Sequence, residues 1–264
     1  DNAELAKAEK VYLPQGEPDI QAVILAASRG SKLGDLTKDI PKCMIDIRGQ
    51  PLLRRLASTF SQGNIKNITV VRGYKKETVN LPFIEYVDND AYESTGEVSS
   101  LNAAIENLKN PSIIAYGDIL FRHYILDQLL EAEGDIVLVV DALWRQKNPD
   151  PSSRTRDLVT CTEEFDSSYL GNEVVRLMNI AHDIPENEIH GEWIGLAKFS
   201  DVGIQKMREE IQKFSKSGGL ETASMTDLFE RLLQSGSEIR VEYIAGHWLD
   251  VDNSGDLSEA QKFL

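Results

Sequence analysis

The chain has 264 residues with 28 basic and 43 acidic side chains, which give a formal net charge of −15. Such a surface repels polyanions, so the composition argues against non-specific binding to nucleic acids or anionic membranes, and an anionic ligand would need a local cluster of cations. The two cysteines form no CxxC pair, and no apolar run approaches the roughly 18 to 20 residues of a membrane span, so we expect a cytoplasmic protein without disulfides or a membrane span.

Residues 1–20 have the composition of a linker, because Pro14, Gly16 and Pro18 interrupt regular structure before the first strand pattern. Two interpretations stay open: a short arm of a cloned fragment, or the junction behind a further domain of a longer polypeptide. We expect one folded domain over residues 21–264, since this length can bury a full core.

Strand and helix patterns alternate regularly after this segment. The predicted strands are 22–27, 68–71, 83–87, 113–116 and 136–140, and the predicted helices are 51–60, 99–108 and 125–133. Alternating strands and helices require crossover connections, which produce a mostly parallel sheet with helices on both faces. The pattern therefore predicts a doubly wound α/β fold.

The alternation weakens after about residue 144. Strand patterns at 157–161, 174–178 and 194–199 follow one another without intervening helices, which predicts a small antiparallel excursion that covers a substrate. The remaining predicted elements are helices at 202–214 and 225–233, a strand at 239–243 and a final helix from 257.

The loop after the first predicted strand is rich in glycine and lysine: LAASRGSKLGDLTKDIPKCM, residues 25–44. Glycines let backbone N–H groups face inward, where they form a cradle for anionic oxygens. Lys32 and Lys42 add positive charge, which suggests several phosphates. The loop matches neither the Walker A pattern nor GxGxxG. A plain glycine-rich turn is the structural alternative, which a second lysine behind Pro41 makes less favourable.

Aspartates follow two other predicted strands. Asp118 follows Gly117, and the segment HWLDVDNSGDL at 247–257 carries Asp250, Asp252 and Asp256. Ligands of open α/β sheets bind at the carboxyl ends of the strands, and Mg²⁺ usually takes one or two carboxylates together with substrate phosphates. The two aspartate sources fit that requirement, while Asp256 is predicted to be the N-cap of the last helix.

The motifs A-A-x-x-G-x-[RK]-L, P-K, G-D and W-x-D-x-D occur in this order, which resembles nucleotidyltransferases of GT-A or Rossmann-like fold. These enzymes couple a nucleoside triphosphate to a phosphorylated small molecule, and the resemblance extends over nearly the whole chain from Gln21. The segments NDAYESTGEVSSL at 89–101 and GEWIGLAKF at 191–199 are similar to cytidylyltransferases of phosphonates or phosphocholine. The YLP of the linker resembles the junction behind a fused phosphoenolpyruvate mutase.

The resemblance implies that a phosphonate or phosphate oxygen attacks the α-phosphorus of CTP and that pyrophosphate leaves. Lys32 would hold the β- and γ-phosphates and Lys42 would stabilise charge at the α-phosphate. Asp118 and Asp252 would hold Mg²⁺, with Asp250 as a neighbour or substitute. The residues expected to bind the nucleotide are Ala26, Ala27, Ser28, Arg29, Gly30, Lys32, Gly96 and Ser100.

Two positions depart from the family pattern, since Ser28 replaces a glycine and Lys32 replaces an arginine. Serine is small enough to keep the backbone close to a base or phosphate. Lysine keeps the charge but loses the bidentate fork of arginine, so we expect a looser contact with the triphosphate.

The second substrate is expected to be a small phosphonate such as 2-aminoethylphosphonate, whose ammonium group would need carboxylates or aromatic faces. The candidates for this contact are Asp141, Trp144, Glu192 and Trp193. Each of them has an alternative role in strand-end solvation or core packing. Arg154 and Arg156 are candidates for a phosphonate clamp, although a charged surface loop is the favoured interpretation.

Three functions stay open from the sequence. The first is a phosphonate or phosphocholine cytidylyltransferase, the second a sugar-1-phosphate nucleotidyltransferase using UTP or dTTP, and the third a non-catalytic nucleotide-binding module. Lys42, Asp118 and the aspartates of 247–257 argue against a non-catalytic module, because nucleotide binding alone does not need a complete metal site. The oligomeric state, with a homo-oligomer among the options, and the identity of an upstream domain are left open.

Overall fold

The computed structural model describes residues 20–108, 111–147, 155–166 and 174–263. The predicted linker lies outside these ranges apart from Ile20, and so does Arg154. Among the helices of the described ranges, none is long and apolar enough to cross a membrane.

The strands belong to a nine-stranded sheet and two small sheets. In chain order they are β1 (Gln21–Ala26), β2 (Asp46–Ile47), β3 (Gln50–Pro51), β4 (Asn67–Arg72), β5 (Glu85–Asp88), β6 (Ser112–Tyr116), β7 (Ile119–Phe121), β8 (Ile136–Asp141), β9 (Leu158–Cys161), β10 (Leu177–Ala181), β11 (Gly191–Phe199), β12 (Arg240–Ile244) and β13 (Trp248–Asp250). The large sheet has the order β10-β9-β11-β6-β1-β4-β5, with β8 on β11 and β12 on β8. The small sheets are β2 with β3 and β7 with β13.

Helices cover both faces of the large sheet. They are α1 (Leu52–Gln62), α2 (Glu97–Ala103), α3 (His123–Glu131), α4 (Trp144–Lys147), α5 (Asp201–Ser217), α6 (Met225–Gln234) and α7 (Ser254–Phe263). Alternate residues of a strand point to opposite faces, so Val23 and Ile24 of β1 enter different hydrophobic cores. The core on the Ile24 side is packed by α1 and α3, and the core on the Val23 side by α2, α5 and α6.

The predicted α/β class is confirmed, and the antiparallel part is larger and more central than predicted. β1 pairs in parallel with β4 and β6, as crossover connections require. β11, however, is antiparallel to β6, β8 and β9 and lies inside the main sheet. Eight of its nine residues are buried, which is the pattern of a central strand and not of a cover over a substrate.

The carboxyl ends of β1 and β6 lie side by side, because Leu25 is paired with Tyr116. The glycine-rich loop after β1 and Asp118 after β6 therefore occupy one edge of the sheet. The β7–β13 pair brings the C-terminal aspartates to the same edge, since Asp250 is paired with Ile119 and Val251 N–H donates to the Asp118 carbonyl at 3.0 Å.

Candidate active site

The loop after β1 folds back on itself around Gly30. The Thr37 hydroxyl donates to the Gly30 carbonyl at 3.0 Å, and Arg29 Nε donates to the Thr37 carbonyl at 3.3 Å. Gly30 has φ +74°, and a Cβ added there would lie 2.6 Å from the Cβ of Lys42. There are thus two reasons for a glycine at this position: the backbone is left-handed, and the Lys42 side chain packs where a Cβ would lie.

Lys42 is a buried cation held between two carboxylates. It follows Pro41 at the start of a short 3-10 turn, Lys42–Met44, and its side chain is only 8% exposed. Its Nζ lies 2.6 Å from Asp252 Oδ1 and forms a second ion pair with Asp118 Oδ2. Burial disfavours the ammonium form, but the negative charges of Asp118 and Asp252 outweigh it, so the pKa of Lys42 rises above its ordinary value.

Asp118 is positioned by close packing at the end of β6. Gly117 N–H donates to the Leu25 carbonyl at 2.9 Å, and a Cβ on Gly117 would lie 2.7 Å from the Cβ of Ala26. The absence of a side chain at 117 therefore lets the chain turn tightly over β1 and places the next residue, Asp118, at the mouth of the glycine-rich loop.

Asp252 is fixed by the first turn of α7, where the structure corrects one prediction. Asn253, and not Asp256, is the N-cap: its Oδ1 accepts from Gly255 N–H at 2.7 Å and from Asp256 N–H at 3.1 Å. Asp256 reaches back and accepts from the N–H groups of Asp252 and Asn253. This reciprocal arrangement is a capping box, which holds Asp252 at the sheet edge.

Two neighbouring cavities open at this edge. The inner cavity, about 260 Å³, is lined by Leu25, Ala27, Ser28, Lys42, Tyr92, Thr95, Gly96, Glu97, Ser100, Tyr116, Asp118 and Asp252. The outer cavity, about 540 Å³, is lined by Ser28, Arg29, Gly30, Ser31, Lys32, Tyr74, Tyr92, Glu93 and Asp252. Ser28, Tyr92 and Asp252 border both, so the two cavities are adjacent parts of one site.

The chain around Gly96 forms the far wall of the inner cavity. Asn89 is buried and donates through Nδ2 to the hydroxyls of Thr95 and Ser100, both at 3.0 Å. Gly96 N–H donates to the Glu221 carbonyl at 2.7 Å, and a Cβ on Gly96 would lie 2.4 Å from the Ala223 carbonyl oxygen. A rigid polar wall results, with the Ser100 side chain on the cavity.

The residues predicted to bind the nucleotide fall at the two cavities with one exception. Four of them line the inner cavity: Ala27, Ser28, Gly96 and Ser100. The outer cavity is lined by Ser28, Arg29, Gly30 and Lys32. Ala26 lines neither cavity, because its side chain is buried in the core beneath Gly117. The exposed Lys32 borders the outer cavity, separated from the buried Lys42.

Asp118 and Asp252 fit a magnesium site that is completed by substrate. Both carboxylates reach the single Nζ of Lys42, so both can face one cation. Within the described part of the chain, no cluster of three or more His, Cys, Asp or Glu side chains could hold a metal. Phosphate oxygens would have to supply further ligands, as is usual for Mg²⁺. Asp250 lines neither cavity.

Three of the four residues predicted to contact the second substrate have other roles. Asp141 is fully buried and accepts from Leu143 N–H, Gly246 N–H and, at 2.7 Å, Trp248 Nε1. Trp144 packs in a separate small core with Leu158, Ile184 and Ile189. Trp193 donates through Nε1 to the Leu196 carbonyl and packs on Phe229. These side chains therefore serve the fold, and none of the three lines either cavity.

Glu192, the fourth, is 2% exposed, paired with Asp141 across β8 and β11, and absent from both cavity walls. Arg156 is also buried, with its guanidinium 5.6 Å from the centre of the Trp144 ring. This burial contradicts the favoured prediction that Arg156 belongs to a charged surface loop. Asp141, Trp144, Glu192 and Trp193 were predicted at the site because they follow or lie within strand patterns, a signal that does not reveal which side chains the core will bury.

The structure adds Glu97, Tyr116 and Asp157 to the site region. Glu97 and Tyr116 line the inner cavity, and the Tyr116 hydroxyl donates to Asp157 Oδ2 at 3.4 Å. His182 Nδ1 lies 3.2 Å from Asp157 Oδ1 and 3.1 Å from the Arg156 carbonyl, and the hydrogen bond to Asp157 raises the pKa of His182 to about 9. Glu97 lies inside the 89–101 motif and could have been recognised from the sequence. Asp157 lies at the start of a predicted strand whose partner strands the sequence does not specify.

Comparison with known proteins places the chain among nucleotidyltransferases. The sequence model of the MobA-like NTP transferase domain matches residues 22–168. The CTP:phosphoglutamine cytidylyltransferase of Campylobacter jejuni is 27% identical, over 90% of this chain and 98% of that protein. The bifunctional protein GlmU of Methanocaldococcus jannaschii is 26% identical over 93% of this chain, which spans about half of that relative, 54%.

Two solved structures share the fold over 92% of this chain. The inositol-1-phosphate CTP transferase from T. maritima superposes with a TM-score of 0.72 at 20% identity, over 94% of its own chain. The CTP:phosphocholine cytidylyltransferase from Streptococcus pneumoniae superposes with a TM-score of 0.68 at 18% identity, over 98% of its chain. At such identities the likeness establishes the architecture.

Proposed function

The chain belongs to the MobA-like NTP transferase domain family, and on this premise we propose that it transfers a cytidylyl group from CTP to a small phosphonate, with release of pyrophosphate. The observation that carries the proposal is the buried ammonium of Lys42 between Asp118 and Asp252 on the wall of the inner cavity. A nucleotidyl transfer needs positive charge at the phosphates, which a fixed cation and a pair of metal-binding carboxylates at one point can supply.

The reaction balances without an added oxidant or reductant. An oxygen of the phosphonate supplies an electron pair to the α-phosphorus of CTP, and the bond from that phosphorus to the bridging oxygen of the β-phosphate breaks. Pyrophosphate leaves with the bonding electrons. Since the phosphonate is an anion at neutral pH, no general base is needed, and the protein contributes alignment and charge neutralisation.

We assign the protein groups as follows. Lys42 neutralises charge at the α-phosphate, and Lys32 holds the outer phosphates at the outer cavity. The carboxylates of Asp118 and Asp252 would hold Mg²⁺, which when bound would neutralise negative charge on the phosphates. The inner wall of Gly96 and Ser100, with Ala27 and Ser28 opposite, receives the nucleoside.

The choice of CTP is supported by the names of three similar proteins, which act on phosphoglutamine, inositol-1-phosphate and phosphocholine with CTP. The choice of a phosphonate is supported by the resemblance of 89–101, 191–199 and the YLP linker to phosphonate cytidylyltransferases and their fusions. Phosphocholine and a sugar 1-phosphate are the alternative acceptors. A non-catalytic module is disfavoured, because it would have no need of two carboxylates beside a buried lysine.

A pyrophosphate-release assay tests the proposal. CTP, UTP, ATP and GTP are each combined with 2-aminoethylphosphonate, 2-hydroxyethylphosphonate, phosphocholine and glucose 1-phosphate in the presence of Mg²⁺. We expect release with CTP and a phosphonate, and its loss in Asp118→Asn. Release with UTP and glucose 1-phosphate would instead indicate the sugar enzyme, and nucleotide binding without release from any pair would indicate the module.

A further inference from the structure

The inner cavity contains one carboxylate that the nucleotidyl transfer does not use. Glu97 is the first residue of α2 and lines this cavity together with Tyr116 and Asp118. Glu97 is exposed at the cavity, whereas the neighbouring Val98 is buried. No Lys, Arg or His among the described residues forms an ion pair with Glu97, so its charge is available to a ligand.

The other carboxylates near the cavity already have cationic neighbours. Asp118 and Asp252 share the ammonium of Lys42. Asp157 lies 3.2 Å from His182, whose raised pKa of about 9 keeps the imidazole charged at neutral pH. Of these four acids, only Glu97 forms no ion pair with a Lys, Arg or His of the described residues.

The environment of Glu97 favours a cation. Crowding by protein atoms and the negative charges of Asp157 and Asp118 raise the pKa of Glu97, while His182 lowers it. A carboxylate in such surroundings is stabilised by a positively charged group of the ligand, and a phosphate placed there would be repelled. The phosphorus end of the acceptor therefore belongs near Lys42, and the opposite end near Glu97.

Tyr116 shapes this end of the cavity. Its hydroxyl donates to Asp157, and its ring lies 5.1 Å from the ring of Trp193. Gly195, with φ +78°, makes room for it, since a Cβ at 195 would lie 2.4 Å from Tyr116 Cδ2. A fixed aromatic side chain beside a carboxylate is a suitable surface for an ammonium group.

From these contacts we propose that Glu97 binds a positively charged amine of the acceptor and so makes the enzyme selective for amino-alkyl over hydroxy-alkyl phosphonates. This assignment rests on the proposed function, because it takes the phosphonate group of the acceptor to lie beside Lys42, on the same cavity that receives the nucleoside.

The first test measures kcat/KM with CTP for 2-aminoethylphosphonate and for 2-hydroxyethylphosphonate, in the wild-type protein and in Glu97→Gln. We expect the wild type to prefer the amine by about ten- to a hundredfold, as a charge-assisted hydrogen bond implies, and the variant to lose most of this preference with an unchanged KM for CTP. Glu106→Gln removes an exposed carboxylate of the following turn and is the matched control, with an unaltered preference. An equal preference in the wild type and Glu97→Gln overturns the assignment and leaves the proposed function intact.

A calorimetric titration separates the two claims. The protein is saturated with Mg²⁺ and a non-hydrolysable CTP analogue and titrated with the same two phosphonates. Tighter binding of the amine that disappears in Glu97→Gln supports the assignment even if no pair is turned over, in which case only the proposed function fails. Equal binding of both phosphonates, or a preference that survives in Glu97→Gln, overturns the assignment.

Discussion

The ammonium of Lys42 lies 2.6 Å from the carboxylate of Asp252, although 210 residues separate the two in the chain. The contact is possible because β7 and β13 pair next to the end of β6 and carry the C-terminal aspartates to the loop after β1. The same ammonium pairs with Asp118, so three distant parts of the chain meet at one buried charge.

Lys42→Ala is expected to reduce kcat by about a hundredfold or more, since removal of a single group that stabilises transition-state charge commonly has this effect. The rate of pyrophosphate release measures it. Lys216→Ala, which removes an exposed lysine near the end of α5, is the control and should retain the wild-type rate. A near-normal rate in Lys42→Ala would remove this residue from the mechanism.

The stability of the same variant should depend on Mg²⁺. Without the ammonium, Asp118 and Asp252 face each other as uncompensated charges, and loss of one partner of a buried ion pair costs about 3 to 5 kcal/mol, less here because both carboxylates are partly exposed. We expect Mg²⁺ to raise the Tm of Lys42→Ala more than that of the wild type, because the metal can take the place of the ammonium. Scanning calorimetry with and without Mg²⁺ measures both shifts. Equal shifts would show that the two carboxylates do not share a cation site.

Gly30→Ala is expected to lower activity by displacing Lys42. An added Cβ would collide with the Cβ of Lys42, and the left-handed backbone adds strain of about 1 to 2 kcal/mol. Gly218→Ala is the matched control, because Gly218 also has a positive φ, +75°, but nothing within 4 Å of an added Cβ. Both variants should lose some stability, and only Gly30→Ala should lose turnover. Comparable turnover in the two would argue that the position of Lys42 is not critical.

The His182 and Asp157 pair predicts a pH dependence of stability. In the folded protein the pKa of His182 is raised from 6.5 to about 9. The pair therefore makes its full contribution to the free energy of unfolding below pH 6.5, and this contribution is lost as the pH rises through about 9. The free energy of unfolding of the wild type should therefore fall over this range relative to His182→Gln. Because the imidazole is 45% exposed, solvent screening keeps the effect small. Urea titrations at several pH values measure it, and parallel curves for the two proteins would refute the prediction.

The sequence predicted the meeting of Lys42, Asp118 and Asp252 because each follows a strand or lies beside one, and parallel strands deliver their carboxyl ends to one edge. It also predicted most strands of the sheet within two residues. The strands β7 and β13 are only three residues long each and were not predicted, although they hold the aspartates in place.

The predictions that failed share a physical cause. Asp141 lies on β8 and Trp193 lies on β11. The surroundings of both side chains depend on the antiparallel register between these strands, which shifts between Trp193 and Ala197. Asp141 is engaged by the indole N–H of Trp248, a contact made across 107 residues. Local pattern contains no information on such a register or partner, whereas Glu97 could have been recognised as the acid beside a predicted nucleotide residue, Gly96.

The central claim is that CMP is transferred from CTP to a phosphonate in a reaction that needs the charge of Lys42. Phosphorus NMR tests this claim most directly. A mixture of the wild-type protein, CTP, Mg²⁺ and 2-aminoethylphosphonate is followed over time beside an identical mixture with Lys42→Ala. We predict that the phosphonate resonance is replaced by a pair of coupled resonances of a phosphonate–phosphate anhydride, together with pyrophosphate, in the wild-type mixture and at least about a hundredfold more slowly with the variant. Unchanged phosphonate and CTP signals in the wild-type mixture, or equal rates in both, would contradict the account.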